Sequence, residues 1–198
     1  MKKLPITELE SKRLLLVPLN ESHIPGMFEY SCMPEFYEHM EGLPHKNIEE
    51  TTKYFYRLMD FVGAGALYWA VIKKDIHKTI GTIGIRNIDH ANLTGDLGLG
   101  ISPLFWNNGF AKETMYLGID YFFNNIGYKK IYSLTSRYNS NVDKMIRFLG
   151  YDDFTILPDH YKKYDGTQYD AIRAVLTKEN FNNNLLLKDL TKSWIYGK

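Results

Sequence analysis

The stretch that decides the fold is residues 94–125, TGDLGLGISPLFWNNGFAKETMYLGIDYFFNN. Its first part, up to Ile101, carries apolar residues at alternate positions, which is typical of a β-strand. After a turn that contains Gly109, apolar and small residues recur every three or four positions, which predicts a helix. A strand, a tight glycine turn and a helix N-terminus together present free backbone amides and a positive dipole end to an anion. We therefore interpret this turn as a binding site for a pyrophosphate group.

Composition restricts the class of protein. The chain has 198 residues, of which 44% are hydrophobic and 24% charged, so one domain with a sizeable core is expected. The net charge of +1 gives no electrostatic case for a nucleic-acid or membrane-surface partner. There is no apolar run of the roughly 20 residues that a membrane helix needs, and the N-terminal residues lack the apolar core of a signal peptide. We therefore expect a cytoplasmic protein.

The sequence contains no motif for a metal site or for a catalytic nucleophile. The single cysteine, Cys32, excludes an internal disulfide framework and has no context that would activate it as a nucleophile. The six histidines are scattered, none in a ligand spacing such as HExxH, so no metal site is expected. A GxSxG nucleophile elbow is also missing from the sequence.

The remaining patterns predict an α/β protein, α+β by segregation, with a mostly antiparallel sheet of about seven strands. Strands are expected at residues 13–19, 67–73, 79–87, 130–136, 152–162 and 169–176, besides the one in the central stretch. A helix that starts at Asn47 should place Tyr54, Leu58 and Phe61 on one face. Asp165-Gly166 predicts the turn of the last hairpin. One domain is expected over residues 7–181, followed by a partly helical tail over residues 182–198.

Five segments, in a fixed order, carry a resemblance to a known family. They are ELESKRLLLVPL, TIGTIGI followed by TGDLGLGISPLFW, the turn WNNGFAKE, Asn139 with Gly150-Tyr151, and Asp165-Gly166 with Asp170. In this order they resemble the GNAT superfamily of acetyl-CoA-dependent N-acetyltransferases, and most closely its RimJ/RimL-like branch of ribosomal-protein N-terminal acetyltransferases. The turn fits that family's acyl-CoA loop, Q/R-x-x-G-x-G/A, at Gly109 and Ala111, with Trp106 in place of the first residue.

The resemblance implies a single domain with helices on both faces of the sheet and two strands that splay where acetyl-CoA enters. The pantetheine arm is expected to bond to strand backbone there, and the loop amides of residues 108–112 to hold the pyrophosphate. The residues expected to bind the cofactor are Leu99, Gly100, Ile101, Trp106, Asn107, Asn108, Gly109, Phe110, Ala111, Lys112 and Asn139. Lys112 has the alternative role of a solvated helix residue, and Asn139 that of a helix N-cap.

Two residues are candidates for the base that accepts the proton of an amine. Asp96 lies where relatives often carry Glu, and an acidic residue within an otherwise apolar strand needs a reason. The alternative is a solvated edge position. His90 is the second candidate, because its imidazole titrates near neutral pH. As a single histidine in a turn, it is otherwise an exposed residue.

The chain differs from its relatives at the positions that supply a general acid. Val142 and Ile146 replace the side chains that relatives use near the leaving thiolate. Tyr138, Tyr151 and Tyr169 are alternative acids that the sequence does not distinguish.

The resemblance thus implies direct acetyl transfer to an amine, without an acyl-enzyme, by a monomer or homodimer. The amine is a peptide N-terminus, a polyamine, an aminoglycoside or an amino acid, and Glu35, Glu38 and Glu41 form either a cation-binding group or a solvated acidic face. A non-catalytic acyl-CoA-binding module and an unrelated α/β protein are the alternatives.

Overall fold

The computed structural model describes residues 4–163 and 166–195. The strands are β1 Leu9–Glu10, β2 Leu14–Pro18, β3 Leu67–Lys73, β4 Lys78–Asp89, β5 Thr94–Ile101, β6 Lys130–Ser136, β7 Asp153–Lys162 and β8 Gln168–Thr177. The α-helices are α1 Ile24–Ser31, α2 Ile48–Gly63, α3 Phe110–Asp120, α4 Ser140–Leu149, α5 Lys178–Asn183 and α6 Leu185–Ile195. Short 3₁₀ turns precede α1 and α3, and a π-helical turn, Tyr121–Asn125, extends α3.

All of these strands form one sheet in the order β1-β2-β3-β4-β5-β6-β8-β7. The β5–β6 pair is parallel, and the other neighbouring pairs are antiparallel. The parallel pair needs a crossover, which α3 supplies. The predicted mostly antiparallel α/β domain is confirmed. The sheet has eight strands where about seven were expected, because the two-residue β1 pairs with β2 at its edge.

Helices cover both faces of the sheet. On one face, which we call the α3 face, α3, α4 and α6 bury side chains such as Phe122, Ile146 and Trp194 against Ile83 and Leu97. On the opposite face, the α1–α2 face, the helices α1 and α2 pack on β3. Alternate residues of each strand therefore point into different cores.

The buried stripe of α2 overlaps at Leu58 with the face that Tyr54, Leu58 and Phe61 were predicted to share. Thr51, Phe55 and Leu58 are its buried residues, whereas Phe61 is 41% exposed. The stripe follows the i, i+4, i+7 spacing, and Phe61 falls outside it, at the rim of the helix. Asn47 caps α2 as expected, since its side chain accepts the N–H of Glu50 at 3.1 Å.

The C-terminal residues pack on the domain. Leu187 and Trp194 of α6 are buried in the core of the α3 face, and the carbonyl of Trp194 accepts the N–H of Lys12 at 2.6 Å. The division of the chain at residues 181 and 182 stays a prediction. Of the predicted turn Asp165-Gly166, Asp165 lies outside the described residues, and Gly166 has a left-handed φ of +85°.

Candidate active site

The sheet opens between β5 and β6. Their parallel pairing covers Thr94–Leu97 of β5 and ends where Leu97 meets Ser133. Beyond this point β5 continues to Ile101 beside β4, and β6 continues to Ser136 beside β8. The edge of β5 that faces β6 therefore has no ladder partner over residues 98–101 within the described part of the chain. Unpaired backbone groups of this kind bind water or an extended ligand.

The two faces of this opening differ in the side chains they carry. Leu97 and Ile101 point into the core of the α3 face, and Leu99 packs against that core. Gly98 and Gly100 point to the α1–α2 face. A Cβ atom on Gly100 would lie 2.7 Å from the ring of Phe36, whereas one on Gly98 would meet no atom within 4 Å. Gly98 therefore leaves open space on the α1–α2 face of the sheet, next to the gap between β5 and β6.

The turn after β5, residues 106–111, is held in a defined shape, and we call it the cradle. Two of its residues have left-handed backbone, Asn107 with φ +61° and Gly109 with φ +78°. The indole N–H of Trp106 donates to the carbonyl of Ile101 at 2.7 Å, and the side-chain amide of Asn108 donates to the carbonyl of Trp106 at 2.8 Å. These bonds tie the turn to the end of β5, so the cradle and the strand opening lie side by side.

The N-terminus of α3 is left uncapped. The helices α2, α4 and α5 each begin with a side chain that accepts a backbone N–H, whereas α3 begins at Gly109 with no side-chain cap. The first bond onto this turn is from Glu113 N–H to the carbonyl of Gly109, at 3.1 Å. The amides of Gly109, Phe110, Ala111 and Lys112 therefore precede the helical ladder. Converging amides at a helix N-terminus fit an anionic group such as a pyrophosphate.

A buried ion pair anchors this turn to the start of the sheet. Arg13 pairs with Glu113, which is fully buried, and the hydroxyl of Ser11 donates to the same carboxylate at 2.6 Å. The guanidinium also donates to the carbonyl of Asn108 at 3.0 Å and lies 4.4 Å from the ring centroid of Phe110. No sequence pattern indicates this role, although Arg13 lies within the segment ELESKRLLLVPL that carries the resemblance.

Two predicted cofactor residues take structural roles. The ammonium of Lys112 lies 4.4 Å from the ring centroid of Phe148 on α4, which directs it away from the turn. The side chain of Asn139 accepts the N–H of Val142 at 3.1 Å and so caps α4. Its side-chain NH₂ group makes no hydrogen bond to a described residue and stays available to a ligand.

Asp96 lies near the strand opening, on the α1–α2 face. It pairs in register with Arg86 on β4 and Tyr132 on β6, one position before the β5–β6 pairing ends. Its carboxylate is half-buried and accepts the side-chain N–H of Asn87 at 2.7 Å. The remaining lone pairs of the carboxylate are free to accept a proton or a further donor.

His90 lies outside this arrangement. It belongs to the turn that follows β4, at the end of β5 away from the opening, and its Nδ1 atom shares a hydrogen bond with the Tyr128 hydroxyl. The four residue steps from Thr94 to Gly98 span about 14 Å of strand. The structure therefore brings Asp96, and not His90, to the opening.

The structure separates the three tyrosines that the sequence left equivalent. Tyr151 is buried, its hydroxyl is bonded to Ser133 at 2.8 Å, and burial raises its pKa. Tyr138 is 67% exposed. Tyr169 is only 8% exposed, and its buried hydroxyl has no partner among the described residues. Ile146, at the position where relatives carry an acid, is part of the core.

Tyr169 lies on β8, just beyond the end of the pairing between β8 and β6. It lies two residues before Ala171, which pairs with Ser136 at the end of β6. Alternation along β8 places its side chain on the same face as that of Ala171. Burial raises the pKa of the Tyr169 hydroxyl, and the nearby carboxylate of Glu41 adds to the shift. The hydroxyl is therefore protonated at neutral pH.

Over residues 4–163 and 166–195, no group of three or more His, Cys, Asp or Glu side chains is arranged to hold a metal ion. The same residues contain no helix with the length and apolar character needed to cross a membrane.

Comparison with known proteins places this geometry in a family. Residues 13–152 match the family model described as acetyltransferase (GNAT) domain. An uncharacterized N-acetyltransferase, p20, from Bacillus licheniformis is 25% identical over 174 residues, which cover 87% of this chain and 97% of that protein. A GCN5-related N-acetyltransferase from Brucella melitensis shares the fold with a TM-score of 0.83 at 21% identity, over 98% of this chain and 87% of that one. Spermidine N-acetyltransferase from Vibrio cholerae, in complex with CoA and spermine, has a TM-score of 0.74 at 16% identity, over 86% and 99% of the two chains.

Proposed function

The chain belongs to the GNAT acetyltransferase family, and we propose that it transfers an acetyl group from acetyl-CoA directly to a primary amine. The observation that carries this proposal is the uncapped N-terminus of α3 beside the open edge of β5. The N-terminus of α3 fits a pyrophosphate, and the edge of β5 fits an extended chain with amide groups. Coenzyme A carries these two groups next to each other, as its pyrophosphate and its pantetheine arm. Proximity of two bound reactants contributes roughly 7–11 kcal/mol to such a transfer.

The binding half of the proposal uses mainly backbone groups. The amides of residues 108–112 donate to the pyrophosphate, and each such charge-assisted bond is worth about 1.5–3 kcal/mol. The free edge at Leu99, Gly100 and Ile101 takes the place of a strand ladder for the pantetheine arm. The side-chain NH₂ of Asn139 is the donor on the β6 side of the gap. Trp106 and Asn107 act by holding the cradle in shape.

The chemical half needs a proton acceptor and a proton donor. Acetyl-CoA supplies the acetyl group as a thioester, whose thiolate is a stable leaving group. An amine with an ordinary pKa is mostly protonated at pH 7, so the chain has to remove a proton before the nitrogen can attack. Asp96, on the α1–α2 face at the opening, is the proposed base. The Tyr169 hydroxyl is the proposed donor, since it is buried, protonated and unpartnered.

The sequence motifs support the proposals for the branch of the family, the cellular location and the class of amine. We place the chain in the RimJ/RimL-like branch because the five motif segments occur in that branch's order. Cytoplasmic location is proposed on the same ground. The branch's acceptors, peptide N-termini, belong in the set of amines to be tested, together with polyamines, aminoglycosides and amino acids.

A thiol-release assay with acetyl-CoA and this panel of amines tests the proposal. Release of free CoA that depends on one class of amine, with the acetylated amine identified by mass spectrometry, is the expected result. Acetyl-CoA binding without transfer to any of the amines would instead support the non-catalytic alternative. Failure to bind acetyl-CoA would overturn both.

A further inference from the structure

A cavity opens on the α1–α2 face between α2 and the ends of β3 and β4. Its volume is about 430 Å³, and its lining includes Tyr54, Arg57, Asp60, Phe61, Tyr68 and Arg86. The volume lies within the range of small-molecule sites, which bind mainly through aromatic walls and a few placed polar groups. Phe61, at the rim, is 41% exposed, and it lines the cavity together with Tyr54 and Leu58, the residues with which it was predicted to share a helix face.

The cavity carries two cations without carboxylate partners. Arg57 lies 5.5 Å from the ring centroid of Tyr54, and Arg86 lies 5.9 Å from that of Phe61. Among the described residues, no carboxylate oxygen lies within 4.0 Å of either guanidinium, and Asp60 in the same lining is likewise unpaired. The cavity therefore has a net positive charge and two planar groups that bind oxyanions by paired hydrogen bonds.

Both guanidinium groups act on the same part of the lining. Burial raises the pKa of the Tyr54 hydroxyl, and the charges of Arg86 and Arg57 oppose that shift. Burial likewise raises the pKa of the Tyr68 hydroxyl, and the charge of Arg86 opposes that shift. The two cations thus converge on one volume, at the tyrosine hydroxyls.

The cavity adjoins the proposed site of transfer. Arg86 on β4 pairs in register with Asp96 on β5, and residues paired in this way point to the same face of the sheet. Neighbouring strands lie about 4.8 Å apart. A molecule held by Arg86 at one end therefore extends across β5 towards Asp96 and the open space at Gly98.

Acidic groups lie on the far side of this path. Burial and the carboxylate of Glu41 raise the pKa of Tyr161 to about 12, while Arg86 opposes the shift. Tyr161 is thus close enough to both charged groups for its pKa to respond to them. Glu41 itself accepts the backbone N–H of Lys162 at 3.2 Å. The face presents cations at the cavity and carboxylates at the opening, which suits a molecule with an anionic end and an amine end.

We propose, on the basis of the proposed function, that the acceptor is an amine that also carries a carboxylate, and that Arg57 and Arg86 bind this carboxylate. The aromatic walls of Tyr54 and Phe61 contact the body of the same molecule. A polyamine lacks an anionic group and would bring further positive charge to the two unpaired guanidinium groups. The arginines therefore select amino acids or short peptides with a free carboxylate over polyamines.

A matched series of acceptors tests this selection. Phenylalanine, phenylalaninamide and phenethylamine share the ring and the amine, and only the first carries a carboxylate. O-phosphoethanolamine and spermidine complete the series, as a phosphate-bearing amine and a polyamine. We expect kcat/KM for phenylalanine to fall at least tenfold in Arg86→Gln and Arg57→Gln, with little change for phenylalaninamide. Lys192→Gln, at an exposed position on α6, is the control and should change neither.

A binding arm keeps the test independent of turnover. N-acetylphenylalanine and N-acetylphenylalaninamide are titrated into the protein saturated with CoA, and only the first should bind more weakly in the two arginine variants. The proposal is overturned if the amide and the acid bind equally well to the wild type. It is also overturned if both variants weaken all ligands alike, or if phosphoethanolamine is the preferred acceptor. Acid-selective binding without transfer would contradict the proposed function and leave this inference standing.

Discussion

Replacing Gly109 with alanine separates the strain of the turn from its ligand. Gly109 has φ +78°, and a Cβ atom there would lie 3.6 Å from a guanidinium nitrogen of Arg13, which is an ordinary contact. The cost is therefore backbone strain, about 1–2 kcal/mol for a left-handed L-residue. For a chain of this size, 1 kcal/mol lowers Tm by about 2–4 °C, so we expect a loss of about 2–8 °C. If the strain is relieved by rotation of the peptide, at least one amide leaves the anion, which weakens acetyl-CoA binding about ten- to hundredfold.

Gly127→Ala is the matched control. Gly127 also has a left-handed φ, +93°, and a Cβ atom there would meet no atom within 4 Å. The variant should lose a similar amount of thermal stability and keep its affinity for acetyl-CoA. Calorimetric titration of both variants, with Tm from thermal unfolding, gives the comparison. Equal affinity of wild type and Gly109→Ala, in the presence of the Tm loss, would refute the amide cradle.

Four further substitutions test other parts of the site. Asp96→Asn should lower kcat by about 10²–10⁴ without changing acetyl-CoA affinity, as for a lost general base, and an unchanged pH–rate profile would show that Asp96 is not the base. Gly98→Ala adds a Cβ atom that meets no atom within 4 Å and should keep or raise Tm while it raises the KM of the amine; the control is Gly63→Ala on α2, and a KM that stays constant argues against an acceptor over Gly98. Glu113→Ala leaves the Ser11 hydroxyl and the half-exposed Arg13 guanidinium without their buried partner and should lower the free energy of unfolding by about 1–3 kcal/mol, whereas a loss below about 0.5 kcal/mol in denaturant titrations would contradict the anchor. Burial lowers the pKa of His23, so the unfolded chain binds a proton more readily and stability falls as pH drops below about 6.5; His23→Gln, which retains a capping side chain, should flatten this fall in Tm between pH 7.5 and 5.5, and identical pH slopes would disprove it.

Local patterns predicted the elements on which the site is built. The strand, turn and helix of residues 94–125 follow from alternation, a single glycine and a helical period, which are properties of neighbouring residues. The antiparallel sheet and its element order followed from the same signals. The predicted caps at Asn47 and Asn139 are confirmed, because the capping residue and its partner lie three positions apart.

Long-range contacts account for what the sequence missed. The pairing of Arg13 with Glu113 joins residues 100 positions apart, and no pattern in the chain indicates it. The end of the β5–β6 pairing at Leu97 depends on the register of two strands separated by a helix. The orphan hydroxyl of Tyr169 depends on burial by other segments, so the sequence had no means to choose it among the tyrosines.

The α1–α2 face, which carries the proposed acceptor site, was the least predictable part. The helical period of α2 predicts that Tyr54, Leu58 and Phe61 share a face, but only the packing of α2 on the sheet shows that this face lines a cavity. The pairing of Arg86 with Asp96 arises only from the β4–β5 register. Residue type alone was enough to name Asp96 and His90 as candidate bases. Only the fold distinguishes them, because it brings Asp96 to the opening and leaves His90 at the other end of β5.

Direct titration of acetyl-CoA into the purified protein tests the central claim, that the α3 turn and the open edge of β5 form an acetyl-CoA site. We expect one molecule bound per chain, with a dissociation constant below about 1 mM, in the range of ordinary enzyme substrates. We also expect the affinity to fall at least tenfold in Gly109→Ala and not in Gly127→Ala. No binding by the wild type at that concentration, or equal binding by both variants, would contradict the claim.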